Sequence, residues 1–307
     1  MLDQLKKISI NQDSFSYSEP LKNFTWFKVG GIAEVLFTPQ DILELKTFLI
    51  NCPKTIPITT IGACSNLLIR DGGIEGVVVS TKKLNKISLD NNFIVAQCGA
   101  LDMDVARNAA KNSIQGLEFL IGIPGSIGGA IRMNAGSYGK ELKDILVEIK
   151  ALDRNGNFHC LKTSELQMDY RQTNIPKDWI IVSAKLLGNK GHKVKIKGKM
   201  KQIIQNRVNS QPQGVLTGGS TFTNPSGMKS WELIDQAGCR GLSFGGASVS
   251  KKHCNFLINN GSATASEIES LGELVREKVK KFSGINLNWE IHRIGMRSLN
   301  IEDNCES

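Results

Sequence analysis

No Gly-x-Gly occurs anywhere in the 307 residues, although 30 of them are glycine. That absence removes the Rossmann dinucleotide fingerprint and the glycine loop of protein kinases. Gly-Lys occurs at 139 and 198, but neither pair is followed by Ser or Thr, so a P-loop is excluded as well. No run approaches the ~18 apolar residues of a membrane span. The opening Met-Leu-Asp-Gln-Leu-Lys-Lys leads into no apolar stretch of signal-peptide length. The seven cysteines (52, 64, 98, 160, 239, 254, 305) are odd in number and nowhere closer than 12 positions, which is neither a zinc pattern nor a disulfide framework. They read as reduced thiols of a cytoplasmic protein. The four histidines (159, 192, 253, 292) are as widely spread, which argues against a protein-bound metal. With 3 Tyr and 4 Trp, the chain has too few aromatics for a base-stacking nucleic-acid platform.

What is present is ordinary in bulk and uneven in detail. Hydrophobic residues make up 40% and charged residues 22%, which excludes a disordered, collagenous or disulfide-stapled chain. At the usual ~100–200 residues per domain the length suggests about two domains. The net charge of +9 favours anionic partners. Much of the excess lies in 190–207, where Lys193, Lys195, Lys197, Lys199 and Lys201 alternate with other residues. That run reads first as a solvated face.

The hydrophobic pattern predicts mixed elements. A helix is expected over 37–52, capped by Thr38 with Pro39 in its first turn and Ile42, Leu45 and Leu49 on one face. Strands are expected at 56–61, 76–80, 93–98 and 179–187, and a short helix at 103–112. Asn155-Gly156 between two alternating runs, 145–152 and 158–161, predicts a hairpin. In 188–213 two periods conflict: the lysines repeat every second residue, whereas Ile196, Met200, Ile203 and Val208 fall at helical spacing, so a helix is expected from about 198 to 209. Further on, helices are expected at 230–237 and 266–282, the latter with a Ser266/Glu269 capping box and a face of Ile268, Leu271, Val275 and Val279. A last strand is expected at 287–294, with Leu287, Trp289 and Ile291 opposite Asn288, Glu290 and His292. The tail, 296–307, is polar.

Two glycine loops carry chemical promise. Strand 56–61 delivers Gly62, Ala63, Cys64, Ser65 and Asn66, whose successive N–H groups can form an anion-binding nest, with Leu67 and Leu68 as anchors. The second loop is Ile123, Pro124, Gly125, Ser126, Ile127, Gly128 and Gly129, where backbone can approach a flat or phosphorylated ligand. Taken alone, each is first of all a turn. Together, ahead of Asn134-Ala135-Gly136, they mean more.

The chain resembles the UDP-N-acetylenolpyruvoylglucosamine reductases (MurB), flavoenzymes of bacterial cell-wall synthesis. The resemblance runs from about Asn23 to Gly295. Its marks are Phe27-Lys28-Val29-Gly30-Gly31, Gly62–Leu68, Gly122–Gly136, Tyr170-Arg171, Gly219-Ser220-Thr221-Phe222-Thr223-Asn224-Pro225, Ser250–Phe256 and Leu287-Asn288-Trp289-Glu290. Each is weak by itself; all of them in order over some 270 residues are specific. The resemblance implies an α+β chain: a PCMH-type FAD-binding fold of two α+β subdomains (1–85 and 86–205) and a C-terminal α+β substrate-binding domain (206–307). The two loops, with Asn134, would hold non-covalent FAD. Two features depart from the common pattern. Cys64 stands where the family loop usually has a second glycine. Arg171 and Ser220 lie only 49 positions apart, which matches a shorter variant without the insertion that carries a substrate-capping tyrosine.

The implied reaction is the NADPH-dependent reduction of UDP-N-acetylglucosamine enolpyruvate to UDP-N-acetylmuramate through the flavin. Hydride delivery to the vinyl carbon leaves negative charge on the neighbouring carbon and its carboxylate, which calls for a cation and a proton donor. Ser220 matches the family's proton donor: a hydroxyl is a weak acid, but an enolate is a strong base. Arg171 matches the active-site arginine, able to grip a carboxylate with two N–H groups. Glu290 matches the family's glutamate; near an enolate it must be neutral, or orient a cation or water. Asn224 and Lys252 are expected substrate contacts, Lys252 at a phosphate. The implied protein is a cytoplasmic monomer without nucleic-acid or membrane partners, serving cell-wall biogenesis, cell shape and division. Two other readings remain: another flavin oxidoreductase on the same scaffold, against which the Ser220 and Glu290 motifs argue, and a basic nucleic-acid binder, which would carry no flavin.

Overall fold

The computed structural model describes residues 2–298. Most of the expected polar tail, with Cys305, lies outside the described residues. The described chain divides into two compact units, each mixing helices and strands. The first takes in the chain up to Ser16, Val35–Ala63 and Gly76–Arg207; the second takes in Tyr17–Glu34, Cys64–Glu75 and the chain from Val208 on. Each has its own hydrophobic core.

The first unit is built on a five-stranded antiparallel sheet, in lateral order Phe158–Lys162, Leu146–Leu152, Ile180–Leu187, Phe93–Gln97 and Ile87–Asp90. The expected hairpin is its first pair. Asp153 closes the turn by accepting the N–H groups of Asn155 and Asn157 on Oδ1 (2.8 and 2.9 Å), and Gly156 supplies the left-handed residue at φ +78°. A shorter parallel pair joins Ile58–Ile61 to Val77–Ser80. The helices are α1 (Leu2–Lys6), α2 (Ile42–Asn51), α3 (Asp102–Lys111), α4 (Ile127–Arg132) and α5 (Lys193–Ser210).

Two helix expectations are corrected here. Helix α2 starts at Ile42, not in the 37–41 region: Asp41 caps it by accepting the Glu44 N–H (2.8 Å), and Thr38 instead gives its own N–H to Ser14. An aspartate at the N-cap outranks a threonine. Helix α5 begins at Lys193, five residues before the expected start. Ile196, Met200 and Ile203 are buried while the five lysines stay exposed, so burial of one apolar stripe decides the period.

The second unit holds a three-stranded antiparallel sheet, Ser243–Phe244, Ala247–Val249 and Leu257–Asn259. It also holds a parallel pair, Leu67–Ile69 with His292–Ile294. Its helices are α6 (Ser230–Gln236) and α7 (Ala265–Ser283). The expected face of α7 is buried, but its capping box lies two residues upstream, at Thr264 and Glu267. Asp71 already accepts the N–H groups of Ala265 and Ser266 (2.9 and 2.8 Å), and Glu269 faces Arg70, Arg293 and Arg297. The last expected strand is only His292–Ile294. The segment before it divides its hydrogen bonds between two partners: Asn288, Glu290 and Ile291 bond to 221–223, while the Glu290 carbonyl accepts from Asn66. The alternation survives: Leu287 and Ile291 are buried, and Trp289 packs against the same core.

Candidate active site

Ser220 and Glu290, 70 positions apart, are brought onto adjacent paired segments of the second unit. Gly219, at φ +83°, turns the chain into Ser220. On one side, the Thr221 N–H donates to the Asn255 carbonyl (2.8 Å). The Asn255 side chain then behaves as a piece of strand: its Oδ1 accepts the Phe222 N–H (2.9 Å) and its Nδ2 donates to the Phe222 carbonyl (2.8 Å). Asn255 is 4% exposed, so these bonds satisfy groups that would otherwise be buried unpaired. On the other side, the Glu290 N–H donates to the Thr221 carbonyl (2.8 Å), and the Thr223 N–H to the Asn288 carbonyl (2.9 Å). Ser220 and Glu290 are both half-buried.

The residue beside Glu290 is locked. Trp289 donates Nε1–H to Glu273 (2.8 Å), carries Arg293 over its ring at 4.5 Å, and packs onto Gly272 of α7. A Cβ on Gly272 would stand 2.2 Å from the indole. Asn66 donates Nδ2–H to the Glu290 carbonyl (3.0 Å), and its own carbonyl accepts the His292 N–H (3.0 Å).

In the first unit the start of one glycine loop meets the other. The Ala63 N–H donates to Ser126 Oγ (3.3 Å), and a Cβ on Gly62 would stand 2.5 Å from that oxygen. The second loop folds back on 98–102: Ile127 N–H to Ala100 carbonyl (2.9 Å), Gly128 N–H to Cys98 carbonyl (2.8 Å) and Asp102 N–H to Gly125 carbonyl (3.1 Å). Ile123 and Ser126 are buried and Pro124 is half-buried. Gly128 has no room for a side chain, whereas a Cβ on Gly129 would meet nothing nearer than Ser126 Oγ at 3.9 Å. Gly129 is thus a place where backbone can receive a ligand closely. Beside Gly62 and Ala63 opens a cleft of about 390 Å³, completed by Lys82, Asn85, Ile87, Gly99, Ala100, Leu101 and Asp104. Its lining joins small residues, whose backbone is open to a ligand, with one lysine, Lys82, that can meet a phosphate, and one aspartate, Asp104.

Cys64 and Ser65 fall in the second unit. Cys64 has φ +53°, so the position does demand the left-handed region, at about 1–2 kcal/mol for a residue with a side chain. Burial pushes its thiol up to about 12, which keeps it protonated at neutral pH.

Arg171 belongs to the first unit. It sits at φ +57° in a tight turn closed by reciprocal bonds between Asp169 and Gln172 (3.0 and 3.1 Å), with its guanidinium over the Tyr170 ring at 5.1 Å. Asn134, fully buried, holds this turn: its Nδ2 donates to the Asp169 carbonyl and to Glu141 (both 3.0 Å), and its Oδ1 accepts the Lys143 N–H (3.0 Å). In the second unit, exposed Asn224 accepts the Ser230 N–H (3.0 Å) at the start of α6, and exposed Lys252 donates Nζ–H to the Val208 carbonyl (2.6 Å). Asn255 lay inside a quoted motif yet carried no sequence signal of its role. The same holds for Gly272 and for the cleft residues Lys82, Asn85, Leu101 and Asp104.

A family model described as UDP-N-acetylenolpyruvoylglucosamine reductase, C-terminal domain, matches residues 211–294, and one described as FAD binding domain matches 33–162. The UDP-N-acetylenolpyruvoylglucosamine reductase of Paramagnetospirillum magneticum is 51% identical over 287 residues, 93% of this chain and 94% of that one. That of Rickettsia prowazekii is 52% identical over 276 residues, 90% and 94% of the two chains. The crystal structure of the reductase (MurB) from Thermus caldophilus superposes with a TM-score of 0.80 at 31% identity, covering 90% of this chain and 97% of that one. By identity over nearly its whole length, the chain belongs to the UDP-N-acetylenolpyruvoylglucosamine reductase family.

Proposed function

We propose that Ser220, Glu290 and Arg171 carry the proton and charge steps of this family's reaction. The enzyme is an FAD-dependent oxidoreductase that reduces UDP-N-acetylglucosamine enolpyruvate to UDP-N-acetylmuramate with NADPH, in peptidoglycan precursor synthesis. FAD held at the glycine loops would supply the hydride relay between NADPH and the vinyl carbon of the substrate. Ser220 then gives its proton to the neighbouring carbon. Glu290, on the adjacent segment, supports that transfer as a neutral acid or through a water. Arg171 holds the substrate carboxylate with its two-pronged guanidinium and offsets the developing charge.

The observation that supports this reading is the bond from the Glu290 N–H to the Thr221 carbonyl, which puts Glu290 opposite the residue that follows Ser220. In the same reading, Gly62, Ala63, Cys64 and Ser65, with Ile123, Pro124, Gly125, Ser126 and Gly129, form the non-covalent FAD site; Asn66 and Asn134, expected there, spend their side chains on the Glu290 carbonyl and on Asp169, Glu141 and Lys143. Asn224 and Lys252 face the nucleotide substrate. Residues 1–85 and 86–205 are the FAD-binding subdomains, and 206–307 the substrate domain. No helix among the described residues is long and apolar enough to cross a membrane, and we place the enzyme in the cytoplasm as a monomer.

The test splits the catalytic cycle. In Ser220→Ala, bleaching of the flavin by NADPH stays intact, because no proton reaches substrate carbon in that half. Reoxidation by the enolpyruvyl substrate slows by roughly 10²–10⁴-fold, the range for a lost general acid. Anaerobic stopped-flow absorbance separates the halves. Equal slowing of both would make Ser220 a folding or flavin-placing residue, and no slowing would move the acid elsewhere.

A further inference from the structure

We propose that Asn66 is a positioning residue for Glu290, acting as an extra rung that holds the carboxyl beside the Ser220 segment; this rests on the reading of Glu290 as an active-site group. The parallel ladder begins at Leu67 opposite His292. One residue earlier, the Asn66 carbonyl still accepts the His292 N–H (3.0 Å), as a ladder residue does. The donor to the Glu290 carbonyl, however, is the Asn66 side chain, Nδ2, at 3.0 Å. Only two residues upstream the chain is left-handed at Cys64, φ +53°. That conformation does not belong to a strand, so the side-chain amide takes over where the backbone ladder stops.

The consequence falls on Glu290. Its N–H is bound to the Thr221 carbonyl (2.8 Å) and its carbonyl to Asn66, so both backbone groups are held, each by a different segment. Its neighbour Trp289 is fixed by Glu273 and by the bare Cα of Gly272. With Leu287 and Trp289 held elsewhere, a rotation of the peptide after Glu290 is what would redirect its side chain, and the Asn66 amide opposes it by holding that carbonyl. An asparagine in a loop that also carries Gly62 and Ala63 reads as a cofactor ligand; here its amide serves the carboxyl instead.

The experiment uses full-length, FAD-loaded Asn66→Ala and Asn66→Asp. Asparagine and aspartate are nearly the same size, so the second variant keeps the packing and sets an acceptor against the Glu290 carbonyl. Three quantities are read: FAD affinity by flavin fluorescence, flavin bleaching by NADPH, and anaerobic reoxidation by the enolpyruvyl substrate. FAD affinity and bleaching are expected to stay at the wild-type level. Reoxidation slows by about 3–10-fold in Asn66→Ala, the scale of one net hydrogen bond, and further in Asn66→Asp. In a double-mutant cycle, Asn66→Ala adds no further slowing to Glu290→Gln, because it acts through that residue. Weakened FAD binding with normal reoxidation would overturn the proposal and make Asn66 a cofactor ligand. So would effects that multiply in the cycle. If Glu290→Gln alone reoxidises normally, the role of Glu290 fails and the proposal with it; an impaired Glu290→Gln with a multiplying Asn66→Ala sinks the proposal alone.

Discussion

The two units solve the problem of holding a site in different ways. In the first, the second glycine loop is held on 98–102 by backbone: Ile127, Gly128 and Asp102 N–H groups reach carbonyls of neighbouring turns, and glycine makes the close approach possible. In the second, Ser220 and Glu290 are held in register with the help of side-chain amides that imitate strands, Asn255 on Phe222 and Asn66 on Glu290. Backbone-built sites depend on residues that lack something. Amide-built sites depend on residues whose replacement leaves buried partners without a bond. The first kind tolerates loss of side chains and the second does not.

Beyond the Ser220→Ala experiment, the largest effect expected is at Arg171. Arg171→Lys keeps the charge but loses the bidentate grip, and turnover falls at least about tenfold, since one preorganised donor is often worth ~2.7–4 kcal/mol. Turnover near wild type would mark Arg171 as a surface arginine. Next comes the amide-built unit itself. Asn255→Ala leaves the Phe222 N–H and carbonyl without partners, at roughly 1–3 kcal/mol per group. Urea unfolding should show a lower midpoint; an unchanged midpoint would mean that the amide is not what holds the Ser220 segment.

A smaller effect is expected in acid. The Arg70 hydrogen bonds hold the Glu269 carboxyl below the ordinary value of 4.5, outweighing its burial, and Arg293 and Arg297 add to them. A depressed carboxylate stabilises the fold fully above its unfolded pKa and loses that contribution as pH falls through its folded pKa. Wild type should therefore lose stability faster than Glu269→Gln as pH drops below about 4.5, an ordinary carboxylate value, in urea midpoints taken from neutral pH downward. Parallel pH profiles would show that the cluster contributes nothing in solution. The smallest effect is expected at Cys64. Cys64→Gly removes left-handed strain of about 1–2 kcal/mol but gives up about 0.5–1 kcal/mol of chain entropy and a buried thiol. A net change under about 1 kcal/mol is expected in thermal unfolding, and a larger loss would assign the thiol a packing role that outweighs the strain.

Much of the first unit was legible. The strands, the hairpin and the glycine loops announce themselves through period-two runs ended by Gly, Asn and Asp, all local signals. Where local reading failed, a competing hydrogen-bond partner or burial had decided. Asp41 displaced Thr38 as a cap, Asp71 took the N–H groups that placed a capping box at Ser266, and burial of Ile196, Met200 and Ile203 extended α5 through the alternating lysines. The 287–294 segment kept its alternation but not its strand, because its hydrogen bonds go to two different partners.

By itself the sequence determined the α+β character, the glycine loops, the family and the residue types that its chemistry needs, because helix and strand periods and motif order are properties of the chain alone. The tertiary structure alone decided that Ser220 and Glu290 share adjacent rungs, that Asn255 and Asn66 act as strands, and that Asn134 braces the turn of Arg171. An amide is a donor and an acceptor in any sequence context. Only the folded chain determines which distant backbone group it meets.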